Sequence, residues 1–137
     1  MIDEKYIDAL KALSDPTRLR LFWLLLHVEQ RITVAEALDV TGDTQYNVSR
    51  NLKMLNKAGL LTPKKQGKWV YYTLNQQTAP HCQALVDSVK FLPSDNFSEI
   101  IKLCVLRLSM RVDGECVVGA NSDEWKTAMN NDLLTNH

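Results

Sequence analysis

Residues 43 to 68, DTQYNVSRNLKMLNKAGLLTPKKQGK, constrain the fold of this chain more than any other segment. They read as an amphipathic helix with a polar outer face, a glycine stop, and a short hairpin tipped by lysines. At about 100° per residue, Val48, Leu52 and Leu55 form one apolar stripe that must face a core. Tyr46, Asn47, Arg50 and Lys53 project from the opposite side, with Ser49 on its flank and Thr44 and Gln45 at the N-terminal tip. Taken alone, that polar face equally suits an ordinary solvated helix. Its neighbours decide the matter.

After Gly59, a suitable residue just past a helix end, two strand-like runs follow at Leu60–Lys65 and Trp69–Leu74. The second, Trp-Val-Tyr-Tyr-Thr-Leu, is aromatic and β-branched, as half-buried strands are. Gly67 supplies the positive φ a tight hairpin needs, and Lys64, Lys65 and Lys68 cluster around it. Upstream, Thr33-Val34-Ala35-Glu36 matches a capping box that starts a short helix through Val40. Two short helices joined by the turn Thr41-Gly42-Asp43 make a helix-turn-helix, and the hairpin makes it winged. The predicted fold is mainly α with a two-stranded β wing, dimerising through its terminal helices.

The side chains on the outer face are those that read DNA. Asn, Gln, Ser and Arg hydrogen-bond base edges, and the N-terminal half of a recognition helix reaches deepest into the major groove. Thr44, Gln45, Tyr46, Asn47, Ser49, Arg50 and Lys53 are therefore the candidate DNA-binding residues of the helix. Lys64, Lys65 and Lys68 are the candidate phosphate contacts of the wing. The 137-residue chain has zero formal net charge, yet its charge is unevenly placed. Residues 1–42 carry 5 basic and 7 acidic groups, residues 43–86 carry 6 and 1, and residues 87–137 carry 5 and 8, giving −2, +5 and −3. Positive charge is concentrated on the segment that would meet double-stranded DNA.

Flanking helices supply the core. Asp3–Leu13 places Tyr6, Ile7, Leu10 and Leu13 on one face; Asp15 and Pro16 are good N-cap and first-turn residues for a second helix over Thr17–His27. That helix is apolar nearly all round, so it must be central or shared with another chain. Further helices are predicted after Pro80 and from Phe97 to Arg111. So many apolar faces outside a compact winged unit predict a homodimer, which twofold DNA sites also favour. One domain is expected over 1–119, followed by a polar C-terminal tail, 120–137. No apolar run is long enough to span a membrane, and the charged start Met1–Lys5 lacks signal-peptide character, so a cytoplasmic location is expected. His27, His81 and His137 have no partner at catalytic spacing and no phosphate-cradling glycine loop is present, so an enzyme is not expected.

With these motifs in place, the chain resembles the ArsR/SmtB family of winged-helix repressors. The likeness runs through residues 5–92 and rests on the opening ALKALSDPTRLRL at Ala9–Leu21, the recognition-helix pattern QYNVSRNLKML at Gln45–Leu55, Gly59-Leu60-Leu61, and the wing with Tyr71-Tyr72. The resemblance implies a homodimeric repressor that leaves its operator when an inducer binds. Where the family often has His, this chain has Asn51, a difference placed at a DNA contact. Two familiar inducer sites are missing. The place of a Cys-Val-Cys box holds Thr33-Val34-Ala35-Glu36-Ala37, and the helix after the wing offers His81 and Asp87 without the zinc-type D-x-H…H-x-x-E spacing.

Three cysteines remain: Cys82, Cys104 and Cys116. Cys82 opens the helix after the wing, where the helix field and His81 favour a thiolate. Cys104 lies within Leu-Cys-Val-Leu and suits a buried hydrophobe equally well. Cys116 follows a turn that could fold it back toward Cys104. In the family context, the three form a candidate metal(loid) site. Three thiolates suit trivalent arsenic; two suffice for methylarsenite, because carbon occupies one bond. Zinc fits less well, since it usually takes four ligands and His81 is the only obvious extra donor. Two alternatives stay open: a thiol redox sensor with a regulatory disulfide, and a winged dimer that senses nothing directly.

Overall fold

A computed structural model describes residues 2–28 and 31–135, without the side chains of residues 28 and 133–135. Met1, His137 and the side chains of Leu133 and Leu134 therefore lie outside the described part of the chain. Helix α1 (Glu4–Leu13) is capped by Asp3, which accepts from the Lys5 amide, and α2 (Pro16–Val28) begins where Asp15 accepts from the Arg18 amide. Strand β1 (Ile32–Thr33) leads into α3 (Val34–Thr41) and α4 (Gln45–Lys57). The wing is β2 (Leu61–Gln66) and β3 (Trp69–Leu74), and α5 (Pro80–Lys90), α6 (Ser98–Leu108) and α7 (Asp123–Thr135) complete the chain.

The expected fold is present. The capping box at Thr33 and Glu36 closes in both directions, and α3 ends on Gly42 in the left-handed region at φ 72°, which a side chain would strain. Thr44 caps α4, and the tight tip of the wing places Gly67 at φ 62°. Val48, Leu52 and Leu55 are buried as their spacing requires. They meet a core built on α2, whose residues Leu21 to Leu26 are all buried, so this nearly all-round apolar helix is indeed central.

Three features differ from the sequence-based expectation. The wing belongs to a three-stranded sheet of order β1-β3-β2, because Ile32 and Thr33 pair with Tyr72 and Tyr71. A two-residue strand has no periodicity to detect. Helix α6 stops at Leu108 rather than Arg111, and Met110 to Gly114 turn the chain back through a Val112–Glu115 bridge. The polar segment after Ala120 forms α7, which buries Trp125. Among the described residues, no helix is long and apolar enough to cross a membrane.

A candidate nucleic-acid interface and the latch behind it

Helix α4 presents the expected residues outward. Thr44, Gln45, Tyr46, Arg50 and Lys53 are exposed; Asn47 and Ser49 are half-buried. Gln45, Tyr46, Ser49, Arg50 and Lys53 line one open hollow, and the Arg50 guanidinium lies 5.8 Å from the centre of the Tyr46 ring. The helix start is ordered by side chains. Thr44 Oγ1 accepts from the Asn47 amide, while Asp43 accepts from the Thr44 amide and from Asn47 Nδ2 at 3.1 Å. The Asn47 bond, then the Thr44 amide, holds the Asp43 carboxyl below its ordinary range. Asn47 therefore commits one Nδ2 hydrogen to the turn. Gln45 also lines a second hollow together with Lys68 and Trp69, so the helix tip and the wing belong to one surface.

Asn51 is a correction to the family-based expectation. It is 4% exposed, so it cannot reach a base; its Oδ1 accepts from Arg18 Nη1 at 3.4 Å. Arg18 also donates to the Ala12 carbonyl at the end of α1 and approaches the Met54 sulfur. One guanidinium thus joins α1, α2 and the recognition helix. That role was missed in the sequence, although Arg18 stands in the very DPTRL stretch that carried the likeness.

The wing lysines are exposed, as expected. Two other side chains of the wing, Gln66 and Tyr71, are clamped. Arg31 lies 4.2 Å from the centre of the Tyr71 ring, bonds Gln66 Oε1, and pairs with Glu115 at 2.6 Å. Tyr71 Oη donates to Glu115 at 3.0 Å and accepts from the Cys116 amide at 2.8 Å. Arg31, then Tyr71, lowers the Glu115 pKa; burial is the main cause that raises the Tyr71 pKa.

Behind α3 lie two buried ion pairs. Arg107, 1% exposed, donates to Asp39 at 2.8 Å and to the Val118 carbonyl at 2.6 Å. Arg111 donates to both oxygens of Glu36, at 2.7 and 2.8 Å, and to the Arg31 carbonyl. Together they latch α6 and its following loop onto the first helix of the helix-turn-helix. Buried charges persist only when paired and hydrogen-bonded, and both carboxylates meet that condition.

The three cysteines do not converge within the chain. Cys104 and Cys116 both lie within electrostatic reach of Glu36 and Arg111. Burial, reinforced by Glu36, pushes the Cys104 thiol up to about 11, and burial also raises Cys116. The Cys116 sulfur sits 3.6 Å from Thr33 Oγ1. Cys82 is buried elsewhere, at the start of α5 beside His81 and Asp3. Among the described residues, Asp3, His81 and Cys82 are the one trio of metal-capable donors whose ligand atoms lie mutually within 4.8 Å.

Comparison with known proteins agrees with this architecture. A family model described as a helix-turn-helix domain matches residues 13–63. The arsenic resistance transcriptional regulator ArsR2 of Pseudomonas putida is 39% identical over 70 residues, which cover 51% of this chain and 60% of that protein. The arsenical resistance operon repressor of Bacillus subtilis is 34% identical over 73 residues, covering 53% of this chain and 69% of that one. A crystal structure described as a possible transcriptional regulator for arsenical resistance superimposes with a TM-score of 0.51 at 33% identity. That match covers 66% of this chain and 93% of the other.

Proposed function

The chain belongs to the ArsR/SmtB family of winged-helix transcriptional regulators, and from that premise we propose that it is a DNA-bound repressor released by a trivalent arsenical at Cys104 and Cys116. One observation supports the DNA half of this reading: Gln45 at the tip of α4 and Lys68 of the wing line one hollow, within the segment that carries the chain's excess positive charge. Gln45, Ser49 and Arg50 read base edges in the major groove, and the Asn47 carbonyl oxygen accepts from a base amine. Thr44 contacts the phosphate backbone through its hydroxyl, which accepts from the Asn47 amide and retains its own hydrogen to donate. Two such helices about 34 Å apart read a palindrome, so the working form is a homodimer. Its seam draws on apolar side chains that the single chain leaves open, including Leu10 of α1 and Val105 of α6, 41% and 62% exposed.

The inducer reading rests on where two of the three thiols lie. Cys104 and Cys116 both lie within electrostatic reach of Glu36 and Arg111, and Cys116 touches Thr33, the N-cap of α3. Methylarsenite carries two hydroxyl groups. Each thiol displaces one, forming a sulfur–arsenic bond and releasing water, so two thiols satisfy the metalloid and carbon holds its third bond. Drawing the two sulfurs onto one atom pulls the loop at Cys116 against the α3 cap. That shifts α3 under α4, and through Tyr71 and Glu115 it also shifts the wing.

Operator affinity, measured by fluorescence anisotropy against arsenite, methylarsenite, antimonite, zinc and cadmium, tests this reading. Methylarsenite is expected to weaken DNA binding by about 5- to 150-fold, the ordinary range of allosteric coupling. Cys104→Ser and Cys116→Ser should bind DNA normally and lose the response; Cys82→Ser should keep it. Normal responses in both of the first two variants would remove the thiol pair from function. Release by peroxide without any arsenical response would assign it to a regulatory disulfide instead.

A further inference from the structure

We propose that Asp3, His81 and Cys82 form a separate binding site for a borderline divalent cation of the zinc class. The site joins the start of α1 to the start of α5. Asp3 is the N-cap of α1, and its two oxygens are divided: Oδ1 accepts from the Lys5 amide at 3.0 Å, while Oδ2 meets His81 Nε2 at 2.7 Å. His81 and Cys82 follow Pro80 in the first turn of α5, which fixes their backbones relative to each other. The Tyr6 ring lies edge-on to His81, with centroids 5.7 Å apart, and holds the imidazole in place.

The distances suit a metal. The three ligand atoms lie mutually within 4.8 Å. Tetrahedral zinc with bonds of about 2.0–2.3 Å holds its donors about 3.3–3.8 Å apart, so the His81–Asp3 pair, now at 2.7 Å, opens by about 0.6 Å and the distances to Cys82 close by up to about 1 Å. Side-chain rotation at the half-exposed Asp3 and His81 supplies that movement while Cys82 stays buried. One oxygen, one nitrogen and one sulfur form a zinc-type donor set. Magnesium and calcium take oxygen ligands, and trivalent arsenic wants more than one thiolate. Three protein ligands leave the fourth position to water.

The hydrogen bond between His81 and Asp3 is the proton-loaded form of the same site. Metal takes the place of the hydrogen between Nε2 and Oδ2, with the neutral ring carrying its hydrogen on Nδ1, and Cys82 binds as thiolate, releasing the thiol proton to solvent. Affinity therefore rises with pH. The Asp3 cap survives, because Oδ1 is not needed as a ligand. Once loaded, the site staples α1 to α5. Since Arg18 ties the end of α1 to α4, the staple acts on the helix that carries the DNA-reading face.

Cadmium titration of the full-length chain tests the proposal. One equivalent per chain should produce a thiolate-to-metal charge-transfer absorption, and zinc should displace it. Cys82→Ser should abolish the band. Asp3→Asn preserves a helix cap and His81→Ala removes the ring; each should weaken binding by at least the 10- to 100-fold typical of losing an outer-shell partner. Cys104→Ser and Cys116→Ser, the variants that silence the arsenical response, should leave the cadmium band intact. A band that survives in Cys82→Ser, or that disappears only in the Cys104 or Cys116 variant, would overturn the site without bearing on the arsenical reading. Unchanged affinity in both Asp3→Asn and His81→Ala would overturn it as well.

Discussion

Asp39→Ala is expected to destabilise the protein by about 3–5 kcal/mol, measured as a shift of the urea unfolding midpoint at unchanged slope. Asp39 neutralises Arg107, whose side chain is 1% exposed against 0% for the carboxylate. Alanine would leave that guanidinium buried with only the Val118 and Gly119 carbonyls for company. It would also strip the acceptor from the Asn121 amide, which the other Asp39 oxygen now holds at 2.9 Å. The double change Asp39→Ala with Arg107→Met should recover most of the loss, because removing both charges removes the desolvation cost together with the attraction. A loss below about 1 kcal/mol in the single variant, the range of surface ion pairs, would mean that the pair is solvated and the latch is open.

The second large effect belongs to the wing. Replacing Lys64, Lys65 and Lys68 together by alanine should lower the steepness of log K against log salt by about 2.7, at about 0.9 for each lysine that neutralises a phosphate. Between 0.1 and 1 M salt, the difference in affinity between wild type and variant should then shrink by about 500-fold, one decade of salt acting on that slope. Preference for the specific site over random duplex should change little, since phosphates carry no sequence information. An unchanged slope would take the wing out of the interface. Tyr71 and Gln66 are held by Arg31 and Glu115, whereas Lys64, Lys65 and Lys68 stay exposed around the tip.

What the sequence disclosed and what it concealed divide along the range of the interactions. Elements specified by near neighbours were legible: the stripe Val48, Leu52, Leu55, the capping box at Thr33 and Glu36, and the glycines at 42 and 67. The outward face of α4 followed from the same periodicity. Contacts made across the fold were not. Glu36 read as a cap partner, and its second role with Arg111 lies 75 residues away. Arg107 and Asp39 are 68 residues apart, and nothing local to either one links them. Tyr71 looked like a half-buried strand residue, and nothing local announced that its hydroxyl would hold the Cys116 loop. The cysteines show the same limit. Their number pointed to thiol chemistry, but only the folded chain separates Cys82, with its nitrogen and oxygen neighbours, from Cys104 and Cys116 beside the latch. Helix α7 was missed because its apolar residues are sparse, although Trp125, Met129 and Leu133 fall at helical spacing in the polar segment after Ala120.

Arg50→Ala, assayed by anisotropy on an operator duplex and on a scrambled duplex of equal length, tests most directly whether the outer face of α4 reads DNA. Arg50 is exposed beside Tyr46, in the hollow shared with Gln45 and Ser49, and the contact proposed for it is a bidentate pairing with guanine. Removing that pairing should cost about 1–3 kcal/mol on the operator, leave the scrambled duplex nearly unaffected, and relax the preference at one base pair. Equal weakening on both duplexes would make Arg50 a phosphate-binding residue, and no weakening on either would contradict the assignment of α4 as the reading helix.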